Sequence, residues 1–210
     1  MKVFTCLLTR LLIAIGAIYS YSPAANAMLF SEFGILNLST PEFAKLDTPT
    51  SVRTLGISIG AGISLSYRIL DKTDFEIGLS YLGQTLSVSS GNSRINYQFW
   101  AAHFPILARS WLSSNFSLGA GVYINRGLGS VGVSQPNQNI SYDTYSNLKV
   151  SPQDHGAVLS AKICSPMTPL MSVILDGRLM FGFPNLFTEG SGSTFKTRTL
   201  QMLVGIAFIL

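Results

Sequence analysis

Charge is scarce in this 210-residue chain, where only 11% of residues are Asp, Glu, Lys or Arg, against about 25% in an ordinary soluble domain. Cysteine is nearly absent, with Cys6 and Cys164 the only two, so no disulfide scaffold is implied. Two distant histidines, His103 and His155, and a lone thiol give no clustered metal-ligand set, and neither a metal nor any other cofactor is expected. Long apolar runs are missing as well. After residue 27 none reaches the roughly 18 to 20 residues of a membrane helix. Yet 47% of the chain is hydrophobic and the mean hydropathy is +0.37. A chain with lipid as its solvent and no spanning helix can satisfy its backbone only as a closed β-barrel.

The first 27 residues read as an export leader. Lys2 and Arg10 supply the positive start, residues 11–17 a short apolar core, and Ala25-Asn26-Ala27 a small-residue cleavage site. The expected division is therefore a cleavable signal peptide over 1–27 and a single barrel domain over 28–210. Removing the leader lowers the formal charge from +4 to +2, too little to argue for nucleic acid as a partner.

Alternation with period two is strongest from Leu55. Leu55, Ile57, Ile59, Ala61, Ile63, Leu65 and Tyr67 share one face, and Gly56, Ser58, Gly60, Gly62, Ser64, Ser66 and Arg68 the other. A soluble sheet would carry Lys, Glu and Thr on its polar face. Gly and Ser instead suit the crowded interior of a narrow barrel. The period recurs over 74–81, 97–109, 116–125, 155–163, 171–183 and 200–210. Outer-membrane barrels have an even strand number, so an eighth strand is placed at 29–38.

Short turns are expected at 71–73, 112–115 and 165–169. Long polar loops are expected at 39–53, 125–154 and 184–197, with a shorter one at 88–94. With the first strand running outward, Tyr67, Phe75, Phe116 and Phe208 form one aromatic belt, and Tyr97, Phe99, Phe181 and Phe183 the other.

Three stretches carry a family likeness: Ala102-His103-Phe104-Pro105-Ile106-Leu107-Ala108-Arg109, Phe116-Ser117-Leu118-Gly119-Ala120-Gly121-Val122-Tyr123, and 176–186 with Gly182, Asn185 and Leu186 in order. In these the chain resembles the small outer-membrane β-barrel domain family that includes the PorT-like proteins, related in architecture to the OmpA and OmpX barrels. It departs from that family at His103, where an acid is common, and at its last residue, Leu210, where an aromatic is usual. The resemblance implies an eight-stranded antiparallel transmembrane barrel in a bacterial outer membrane, with both ends in the periplasm. Its partners would be outer-membrane lipid and the barrel-assembly machinery.

Glu76, His103, Arg109, Lys162, Asp176 and Arg178 fall on inward faces and are expected to meet near the axis. Isolated buried charges are too costly to leave unpaired, so a mutually neutralising plug is the first reading and a narrow gated channel the second. A lipid-modifying enzyme would need His, Ser and an acid together at the rim; His103 has no Ser two residues away, and His155 opens a strand at a loop edge. A soluble barrel with the alternation turned inward is the remaining rival. The long loop, with Gln135, Asn137, Tyr142 and Tyr145, is the place for an external protein or glycan partner, or an ordinary solvated extension of its two strands.

Overall fold

In a computed structural model, the structure describes residues 28–43, 51–53, 56–90, 93–134, 140–144, 151–184 and 195–209. The strands are β1 (Met28–Phe43), β2 (Ser51–Arg53), β3 (Gly56–Leu70), β4 (Thr73–Ser90), β5 (Ser93–Trp111), β6 (Phe116–Ser134), β7 (Ser141–Asp143), β8 (Gln153–Thr168), β9 (Met171–Gly182) and β10 (Phe195–Ile209). Eight are long; β2 and β7 are three-residue additions that pair with β4 and β6. The long strands pair antiparallel in sequence order, and β1 pairs with both β3 and β10. The sheet therefore closes on itself and leaves no edge among these eight strands. No helix occurs among the described residues.

Alternation decides which side chains face inward. On β6, Leu118, Val122 and Ile124 are exposed while Ser117, Tyr123 and Asn125 are buried. On β9, Asp176 and Arg178 are buried while Leu175 and Leu179 are exposed. The exposed apolar wall and buried charged interior are the inverse of a soluble barrel, so the inward-turned rival fails.

The short turns lie together at one end, here the turn end: 71–72, 112–115 and 169–170. Met28 and Ile209 lie there too, beside Tyr67 and Leu29. The opposite, loop end holds the long connections. There β4, β5 and β6 run to 18, 19 and 19 residues, well beyond the roughly 9 to 11 needed to cross a bilayer.

Several boundaries differ from the sequence expectation. The first strand is longer, 28–43 rather than 29–38. β8 continues through Pro166 to Thr168, so the expected turn at 165–169 shrinks to 169–170; the register shifts between Pro166 and Thr168, as a residue without an N–H requires at the end of a ladder. Part of the expected loop 125–154 is strand, because β6 continues to Ser134 and β7 folds back on it.

The belt residues Tyr97 and Phe99 are half-buried and share the parity of Ala101 and His103, which are buried. Trp100 faces outward instead and stacks on Tyr81, with ring centroids 4.6 Å apart. Opposite it β6 bulges. Gln98 pairs with Gly132 and Trp100 with Leu128, so four steps on β6 face two on β5. Gly129 takes the left-handed conformation there (φ 73°), which only glycine adopts without penalty.

Candidate functional site: a charged cluster across the lumen

Inward positions on four strands converge in the barrel interior. Glu76 comes from β4, Arg109 from β5, Lys162 from β8, and Asp176 and Arg178 from β9, the last two on one face because they are two residues apart. All five side chains are at most 2% exposed.

Glu76 is the hub. Its Oε2 accepts Arg109 Nε at 2.6 Å and Lys162 Nζ at 2.8 Å, and its Oε1 accepts Arg178 Nη2 at 2.6 Å. Asp176 is the second acceptor. Its Oδ2 takes Arg109 Nη2 and, at 2.9 Å, Arg178 Nε. Two serines complete the shell: Ser66 donates to Glu76 at 3.3 Å, and Ser160 donates to Asp176 while accepting Arg109 Nη1 at 2.9 Å. Three cations thus share two carboxylates, each with several charge-assisted hydrogen bonds. Gly119, the cross-strand partner of Arg109, makes room for it: a Cβ there would lie 3.1 Å from Arg109 Cγ.

His103, expected in this cluster, stands apart. Its Nδ1 donates to Asn125 Oδ1 at 2.5 Å, and its ring lies 5.6 Å from that of Tyr123. The reason is height along β5, where six residues separate His103 from Arg109. Tyr123 belongs to another polar group, in which its hydroxyl and Thr197 both donate to Asp154 Oδ2, at 3.1 and 2.8 Å. Gly182 permits this group, since a Cβ would lie 2.9 Å from Asp154 Oδ1. At the turn end, Arg68 Nε meets Asp74 at 2.6 Å and Trp111 Nε1 donates to the other Asp74 oxygen.

The lumen is also partly apolar, which the sequence reading did not anticipate. Phe33, Ile35, Leu82, Cys164, Ile174, Leu203 and Ala207 pack together, and Leu107, Tyr123, Val158 and Met180 form a second cluster. Cys164, a free thiol, is a buried member of the first.

His155 lies near the loop end of β8. It faces outward against Phe183, with ring centroids 6.4 Å apart, while neighbouring Asp154 points inward. No group of three or more metal-ligating side chains exists among the described residues. Of the candidate loop residues, Tyr142 lies on β7 and is 73% exposed; Gln135, Asn137 and Tyr145 lie outside the described residues.

No family model matches the chain, and no curated protein matches its sequence. Among solved structures it is similar to the outer membrane protein OprG from Pseudomonas aeruginosa, with a TM-score of 0.52 and 10% identity over 89% of this chain and 96% of that one. It is also similar to Neisserial surface protein A, with a TM-score of 0.51 and 11% identity over 86% and 97% of the two chains. At these identities the likeness is one of fold. The chain has the closed, eight-stranded antiparallel fold of outer-membrane β-barrels.

Proposed function

We propose that the protein is an integral barrel of a bacterial outer membrane that displays its loop-end strands to an external partner and keeps its lumen shut. The cross-lumen cluster carries this reading: five charged side chains from four strands fill the interior with their charges on one another rather than on water. The surplus of β4, β5 and β6, about eight residues each beyond a bilayer crossing, projects on the side away from the short turns. β7 thickens that projection and holds Tyr142 outward. In the same proposal residues 1–27 are the cleaved leader, both ends of the barrel are periplasmic, the barrel-assembly machinery inserts it, and the kinship is with PorT-like barrels.

The test has two readouts on the full barrel in lipid vesicles. Planar-bilayer recording is expected to give no discrete conductance steps. Vesicles carrying the barrel are expected to bind a glycan or extracellular-matrix protein array, and replacing residues 135–150 by a short Gly-Ser turn should abolish the binding. Regular conductance steps, or binding untouched by the replacement, would overturn the proposal.

A further inference from the structure

The outer wall has one chemically discordant feature. Of the described acidic side chains in the eight long strands, only Glu32 faces outward. It lies four residues into β1 from the turn end, with Ile63 and Ile206 as cross-strand neighbours and Phe30 and Gly34 beside it on the same face. No partner for it exists among the described residues. A carboxylate on an otherwise apolar outer wall is costly to leave without a counter-charge, and calls for a partner that brings one.

The next rung supplies the shape of that partner. Val204, Gly34, Ala61, Tyr81 and Ala102 are successive cross-strand neighbours on the outer face. Three of them are Gly or Ala, and the Tyr81 ring lies flat against Trp100, with 5° between the planes. The result is a trough of about 800 Å³, with Glu32 at its lower border and Leu79 and Leu128 further along. Four strand spacings of about 4.8 Å give it a length near 19 Å. The flanking rungs lie four residues apart along each strand, about 13 Å between backbones, and their side chains take up much of that. The clearance fits one hydrocarbon chain, not a helix about 10 Å across. Strand tilt inclines the rung to the membrane plane, so a chain lying in it rises from the Glu32 end toward the middle of the bilayer.

We infer that this trough binds a phospholipid with a primary-ammonium head group, its N–H donors on the Glu32 carboxylate and one acyl chain along Gly34, Ala61 and Ala102. The inference rests on the membrane-embedded reading above. Its test is native mass spectrometry of the full barrel, purified in non-ionic detergent and titrated with phosphatidylethanolamine, phosphatidylcholine or phosphatidylglycerol. One phosphatidylethanolamine should be retained in preference to the other two. Glu32→Gln should weaken that retention at least about tenfold, the worth of a charge-assisted hydrogen bond. Gly34→Leu should weaken it by filling the trough; its Cβ is tolerated, the nearest atom being Val204 O at 3.9 Å.

Equal retention of the three lipids, or a Glu32→Gln barrel that binds as before, overturns the inference. So does a dimer lost on Glu32→Gln, which would assign the trough to a second copy. Flotation of the same barrel with vesicles separates the two claims. A barrel that floats but shows no lipid preference refutes only the trough, and one that does not float refutes the membrane reading with it.

Discussion

Replacing Glu76 by Gln removes the one carboxylate among the described residues that pairs with Arg109, Lys162 and Arg178 together. Glu76 accepts from Arg109, Lys162 and Arg178 within 2.8 Å, and the amide leaves these three cations with Asp176 alone while turning an NH2 group toward one of them. Stranding buried charge by removing one partner costs about 3–5 kcal/mol, and the full range applies because both sides of every pair are shielded from water. Lys162→Met has the opposite logic. Lys162 pairs with Glu76 alone, and its loss balances two cations against two carboxylates, so it should cost less than about 1 kcal/mol or stabilise the fold. In the double variant Lys162→Met should recover part of the Glu76→Gln loss. The assay is urea unfolding of the vesicle-inserted barrel, followed by tryptophan fluorescence. A Glu76→Gln loss below about 0.5 kcal/mol, or a Lys162→Met loss as large as that of Glu76→Gln, would refute the claim that Glu76 is the hub of a desolvated network.

Val122 lies 53% exposed midway along the wall, so Val122→Arg should destabilise the inserted barrel by about 2–4 kcal/mol, whereas Tyr142→Arg on β7 should leave the unfolding midpoint unchanged; both follow from urea titration in vesicles. Asp74→Asn should cost about 0.5–1.5 kcal/mol, the low end being favoured because the Arg68 side chain is 40% exposed; a shift in Trp111 emission should accompany it. Gly182→Ala should lower the refolded fraction, since its methyl would press on Asp154 and Thr197; gel mobility after refolding measures this.

Strand identity was legible, and so was facing except at the loop end of β5, where Tyr97 and Phe99 turn inward, because one physical rule governs both. With an apolar outer wall and a narrow lumen inside, every second residue must be apolar, and 55–68, 74–81 and 116–125 obey it without interruption. Strand ends were not legible. Nothing in the pattern says whether Ser and Gly residues after Gly127 continue a ladder beyond the apolar wall, since the alternation stops there while the hydrogen bonding does not.

The inward parity of Glu76, Arg109, Lys162, Asp176 and Arg178 could be read from the sequence, but their heights could not. Register sets height, and it separates His103 from the cluster while bringing Ser66 and Ser160 into it. Serine at inward positions was the available signal for those two. The apolar part of the lumen had one as well: Ile174 and Leu203 each sit at an inward position flanked by outward apolar residues, which reads as an unbroken hydrophobic run rather than as alternation.

The most direct test of a closed barrel with an apolar wall is the mobility of the vesicle-inserted protein in SDS gels with and without boiling. A hydrogen-bonded ring of eight strands without a free edge should resist SDS until heated, so the unboiled band should run faster than the boiled one. Identical bands from the inserted protein would contradict the closed, lipid-facing architecture and everything built on it.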